Sequence, residues 1–271
     1  MNSLKTIGFI LTLVVLANVA NATLITANIS GTELVASKKV TTFYNDEKGL
    51  ISTDWKTHSF GLQKLTVTGD VSELWDSNTL YGFSAEYFES LSEYREWSWS
   101  SMRYVNSPET YIIKDVAQAT VDSGPGTSLN ASKAAALSEL WGAYYDEGWQ
   151  TQITGDDKKK AAAFQACVWE IIADYTGQAN SLDLRKDSFM VSVKEGEGKD
   201  ELAIASGWLS TLPTLINDGK DGATLRILQN DKYQNFLVEV TNTPPVPEPA
   251  TLLLVLSMAP CLCVKRLRKI A

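Results

Sequence analysis

The chain has 271 residues, 44% of them hydrophobic and 21% charged, so it can bury a core and is not globally disordered. Its net charge is −8, but five of its 24 basic residues and none of its 32 acidic ones lie outside residues 23–249, which leaves that body near −13. Such a body disfavours nucleic acid and anionic membrane surfaces as partners.

The first 22 residues, MNSLKTIGFILTLVVLANVANA, carry the three parts of a secretory signal peptide. Lys5 is the positive start, Ile7 to Val19 the apolar centre, and Ala20 and Ala22 frame an A-x-A site for signal peptidase. The expected mature chain begins at Thr23; an uncleaved anchor helix is the alternative. About 220 residues then remain before the tail, room for one large domain or two small ones.

Cys167 is the one cysteine of the exported body; Cys261 and Cys263 sit in the tail. No disulfide can form within the body, so its stability must come from packing. The lone histidine, His58, stands in a polar stretch and reads as a surface residue, which argues against a His/Cys zinc site.

The first half reads as strands: TLITANIS, KKVTTFY, LQKLTVTG, TLYGFSAEYF and TYIIKDVAQATV, parted by Gly, Asn, Asp and Ser. Glu86, Glu89, Glu93 and Glu96 raise a glycosidase pair, which would need two carboxylates across a cleft; the abundance of acidic residues explains them without a site. In EYREWSWSSMRYVNSPETY, Trp97 and Trp99 alternate with serines, so a strand puts them on one face. With Tyr104 they form a candidate glycan-stacking surface. The other reading packs both indoles into a core.

VDSGPGTSLN reads as a loop, and the period then changes to helical. One helix is expected from about Ala131 to Trp149, through Leu137, Leu140, Trp141, Tyr144 and Tyr145. A second runs from about Asp157 to Tyr175, with Asp156 and Asp157 at the positive end of its dipole. A third runs from Asp200 to about Ile216, which Pro213 should bend or shorten. ATLRILQN and NFLVEV return to strand. The order strands, three helices, strands predicts an α+β domain: a β-sandwich or barrel-like sheet, completed by the C-terminal strands, with an inserted bundle of about three helices.

Within the second helix, the neighbours of Gln165 at three and four residues are Ala161, Ala162, Val168 and Trp169, all apolar. A glutamine in that setting is expected to be buried and to need partners from another element, the simplest being the backbone of the sheet.

The tail has its own order. Pro244 to Pro249 holds four prolines in six residues, a stiff extended segment. Ala250 to Val264 is apolar over 15 residues, which as a helix reaches about 22 Å against a hydrocarbon core of about 30 Å. Lys265, Arg266, Arg268 and Lys269 then form a basic stop that would stay cytoplasmic. Pro260 weakens the span further.

That succession resembles the PEP-CTERM sorting signal of Gram-negative bacteria, with Pro247, Glu248 and Pro249 as the tripeptide. The resemblance implies an exosortase-type membrane enzyme as partner, cleavage near the tripeptide, and delivery from the inner membrane to the cell surface or an exopolysaccharide matrix. A plain membrane anchor is the alternative. The expected organisation is signal peptide 1–22, exported domain 23–243, Pro-rich linker 244–249, span 250–264 and basic tail 265–271.

A second resemblance covers about Leu80 to Val240. AFQACVWEIIADY looks like the Q-x-A-x-W-E helix of thioester-domain proteins, in which a distant cysteine condenses with the glutamine amide. The matching early strand is LYGFSAEYFE, where Phe83, Ala85 and Glu86 fit and Ser84 stands in the cysteine's place. The resemblance therefore implies a thioester-like fold with an inactive pair, Ser84 and Gln165. Cys167 cannot substitute, since residues two apart point to different helix faces. No catalytic residue, metal or cofactor is assigned. The expectation is a non-enzymatic adhesive or structural surface protein, with a glycan-binding module as the alternative.

Overall fold

A computed structural model describes residues 26–44 and 56–241, apart from 70, 73, 87–94, 99–102, 107–108, 122–126, 152, 179–180, 193–197, 220–221 and 232. The expected signal peptide, the Pro-rich motif, the expected apolar span and basic stop, and Trp99 lie outside the described residues. Among the described residues no helix is long and apolar enough to cross a membrane.

The strands in chain order are β1 (Thr26–Tyr44), β2 (Lys56–Thr68), β3 (Thr79–Ser84), β4 (Arg95–Ser98), β5 (Arg103–Asn106), β6 (Glu109–Asp115), β7 (Thr120–Val121) and β8 (Thr127–Ser128). Helices α1 (Ala131–Tyr144) and α2 (Gly155–Asp174) follow, then β9 (Phe189–Ser192), α3 (Lys199–Asp218), β10 (Leu225–Gln229) and β11 (Phe236–Glu239).

The main sheet runs β2-β3-β11-β10-β6-β1-β9, and β1 also pairs with β2. Six antiparallel strands thus close into a barrel, with β9 attached outside it. Of the two sheet forms open from sequence, the barrel is the one adopted. Closure leaves those six strands no free edge along the ring. The C-terminal strands complete it, as β11 enters between β3 and β10.

The long strand β1 serves three partners. Thr26 to Ile29 face Ile112 to Glu109 on β6, Asn28 to Thr42 face Thr68 to Lys56 on β2, and Thr41 to Tyr44 face Ser192 to Phe189 on β9. Register shifts between Ile29 and Gly31 and between Leu34 and Ala36 let one strand follow these directions.

Alternation along the strands makes two cores. Ile29, Leu65, Val67, Leu80, Tyr111, Leu228, Phe236 and Val238 form one buried cluster with Leu74 and Trp75. Their strand neighbours Phe83, Ile227 and Leu237 belong to a second, shared with the helices. At its centre Phe83 meets Phe164 of α2 at 4.6 Å and Trp141 of α1 edge-on at 5.7 Å.

Helix α2 is buried at every position from Ala161 to Ile172, which is why its apolar residues run all round it. Its start is a capping box: the Asp157 N–H donates to Thr154 Oγ1 at 3.2 Å, and the Thr154 N–H returns to Asp157 Oδ2 at 2.8 Å. The Thr154 hydroxyl, which donates to Asp157 Oδ2 at 2.6 Å, and the returning Thr154 N–H hold the Asp157 carboxyl below its usual range.

Three element readings need correction. The first helix stops at Tyr144, and a separate 3-10 turn covers Glu147–Gln150, started by Asp146, whose Oδ1 accepts the Gly148 N–H at 2.8 Å. The third helix continues through Pro213 to Asp218, because Leu209 and Leu212 stay buried against the core and Gly219, at φ +58°, closes it. Part of VDSGPGTSLN is not loop, since Val121 pairs with Thr127 across the short β7–β8 ladder.

Candidate functional site

The ladder between β2 and β3 reaches Gly82, opposite Gln63, and goes no further. On its other side β3 continues to Ser84, opposite Phe236 of β11. The Ser84 peptide groups on the β2 side therefore need a partner from elsewhere.

Helix α2 supplies it. The Ser84 N–H donates to Gln165 Oε1 at 3.0 Å, and Gln165 Nε2 donates to the Ser84 carbonyl at 2.8 Å. One side-chain amide thus takes the place of a missing strand. Trp169, one turn on, donates its indole N–H to the same carbonyl at 2.8 Å. Ser84 is 2% exposed and Gln165 1%, so these bonds form away from water.

The hydroxyl of Ser84 is engaged elsewhere. It donates to the Glu86 carbonyl at 2.5 Å and accepts the Glu86 N–H at 3.2 Å. Glu86 is itself buried; its carboxylate accepts from Asn235 through the main-chain N–H at 3.0 Å and through Nδ2 at 2.5 Å. Glu86 therefore anchors the approach to β11 and is no free catalytic acid. Glu89 and Glu93 lie outside the described residues.

Chemically, Ser84 and Gln165 are a hydroxyl and a carboxamide on adjoining elements, each hydrogen-bonded to main-chain groups. A serine oxygen is a weak nucleophile without a base to take its proton, and this proton is held by a peptide carbonyl. Cys167 offers no replacement. It is fully buried, its thiol donates to the Ala205 carbonyl of α3 at 3.5 Å, and burial pushes its pKa well up.

The remaining candidates sit apart. Trp97 on β4 is the cross-strand partner of Tyr104 on β5. His58 lies on β2 opposite Val40. No group of three or more His, Cys, Asp or Glu arranged to hold a metal ion occurs among the described residues.

Sequence reasoning missed a cleft of about 520 Å³, where α1 and the following 3-10 turn meet the barrel. Tyr81, Tyr145, Glu147, Gln150 and Glu239 line it, with Lys64 from β2 and Asp76 beside β3. Glu239 is tied in place from both sides: Trp141 donates to its Oε2 at 2.9 Å, and Trp75 donates to its main-chain carbonyl at 2.6 Å. Burial raises its carboxyl above the usual range, against the Trp141 bond, and the Glu147 charge adds to the rise. Burial likewise raises the Tyr145 phenol, which accepts from Gln150 Nε2 at 2.8 Å. From sequence, Trp141 and Tyr145 had read only as the apolar stripe of a helix and Tyr81 as part of a strand.

No protein-family model and no curated protein matches the chain. Among solved structures, the N-terminal thioester domain of fibronectin-binding protein SfbI from Streptococcus pyogenes is similar over 76% of this chain and 95% of that one, at 15% identity and a TM-score of 0.33. A likeness that loose identifies a distant neighbour and carries no argument about function.

Proposed function

We propose that this chain is an exported, non-catalytic surface or extracellular-matrix protein whose body is a thioester-type scaffold lacking the reactive cysteine. The observation that carries the reading is the contact between Ser84 and Gln165. The amide stands where the resemblance asks for it, and it is spent on two hydrogen bonds to the strand backbone. A buried amide used in this way docks a helix onto a barrel. It supports a rigid adhesive or structural body better than a reactive one.

The destination is supported by the ends of the sequence. Residues 1–22 direct export; Pro247, Glu248 and Pro249, the short apolar run and the basic stop make the tail a detachable handle for an exosortase-type enzyme. The test is fractionation of the native host with C-terminal mass mapping, in wild type and in Glu248→Ala. The wild-type protein is expected at the cell surface or in the matrix, shortened near the tripeptide, and the variant is expected to stay unprocessed in the inner membrane. Unchanged processing and destination in the variant would overturn the sorting reading. An intact C-terminus in the wild type would leave a plain membrane anchor.

A further inference from the structure

The cleft between the 3-10 turn and the barrel takes no part in the Ser84–Gln165 contact. We propose that it binds a saccharide unit bearing a protonated amine, of the glucosamine type, on a glycan of the surface or matrix. The proposal rests on the reading of the body as an adhesive surface or matrix protein, and its test does not depend on how the tail is processed.

Glu239 is built to meet such a ligand. Its Oε2 already accepts the Trp141 N–H, and Trp75 takes the main-chain carbonyl, so both indole donors are used up and Oε1 is left for a ligand. Glu147 and Asp76 line the same space, against Lys64 as the basic lining residue, so the cleft is electronegative. The Glu147 charge adds to the cost of ionising Glu239, and a cation between them relieves it. Tyr81 and Tyr145, each half-buried, add ring surface that favours an ammonium and the C–H face of a sugar.

The size and the polar lining favour an amino sugar over a lysine side chain. A volume of about 520 Å³ exceeds what one alkylammonium stem fills. Since Gln150 Nε2 donates to the Tyr145 oxygen, the phenol proton and the Gln150 carbonyl remain for ligand hydroxyls. A methylene stem has no use for either, and a neutral sugar, though its hydroxyls can donate to the carboxylates, brings no charge to offset theirs. Burial keeps the phenol protonated and raises the Glu239 carboxyl. Binding of an ammonium is therefore expected to strengthen as pH rises and Glu239 ionises, with Glu147, Asp76, Lys64 and Tyr145 facing it.

Titration calorimetry on the full chain in detergent tests this, with a glucosamine tetramer, its N-acetylated form, a glucose tetramer and lysine amide as probes. The glucosamine tetramer is expected to bind, and each of the other three to bind about tenfold more weakly or not at all. Glu239→Gln, whose amide oxygen can still accept from Trp141, and Glu147→Gln should each weaken binding by about fivefold or more while leaving the thermal midpoint unchanged. The proposal is overturned by no binding of the glucosamine tetramer, by equal binding of any other probe, or by indifference to both substitutions. C-terminal processing does not enter this readout, so failure here and failure of the sorting reading are separate results.

Discussion

Gln165 and Trp169, one turn apart on α2, both donate to the carbonyl oxygen of Ser84. Only Gln165 also accepts the Ser84 N–H. The two residues are therefore unequal. Gln165→Ala orphans a buried donor, and an orphaned buried donor costs about 1–3 kcal/mol before any loss of packing. Trp169→Phe leaves that carbonyl with the Gln165 bond and is expected to lose less through hydrogen bonding. Urea unfolding should rank Gln165→Ala below wild type by at least that amount; an unchanged midpoint would mean the amide does not hold the strand.

This contact was partly legible in the sequence. The apolar ring around Gln165 announced its burial, and the helical period located α2 to within two residues at its start and one at its end. The closing of the barrel was not legible, since pairing of β11 with β3 joins residues about 150 apart and local pattern is silent on such distances. Nor was β9, a four-residue strand that owes its form to the end of β1 beside it. Pro213 does not shorten α3, which runs two residues past the expected Ile216, because propensity is a local rule and the buried Leu209 and Leu212 outweigh it. The cleft could not be read at all, because Glu239 and Tyr145 come together only through the fold.

Gly82 is a second place where β3 admits no change. A β-carbon there would lie 2.6 Å from the Leu237 carbonyl oxygen and 2.7 Å from Val238 Cγ1. The oxygen belongs to the barrel ladder and cannot swing aside as a flexible side chain would. Gly82→Ala is expected to destabilise by about 1–3 kcal/mol, the usual cost of overpacking. Calorimetric melting checks this; a midpoint at or above wild type would mean that β11 has room to shift.

Glu170 makes stability depend on pH. It is fully buried; Oε1 accepts the Asp183 N–H at 2.6 Å, and Oε2 has no hydrogen-bond partner. Burial, with help from the Asp174 charge, pushes its carboxyl up to about 8. An unfolded glutamate loses its proton near about 4.3. Between those values the native state holds a proton that the unfolded state has released, so stability falls as pH rises, by about 1.4 kcal/mol per unit. Glu170→Gln should match wild type near the lower value and become progressively more stable than it toward the upper one. Asp174, also raised by burial, leaves a smaller slope behind. Parallel urea midpoints across that range would show that Glu170 is ionised in the native state.

The chemical state of Gln165 is the most direct test of the body as an unreactive scaffold. Intact mass of the protein from its native host, before and after exposure to methylamine, reads it. The expected mass is that of the uncondensed polypeptide, identical after treatment, because the Gln165 amide is hydrogen-bonded to Ser84 and joined to nothing. A mass lower by one ammonia, converting to a methylamine adduct, would place a reactive acyl bond at this site and contradict the reading.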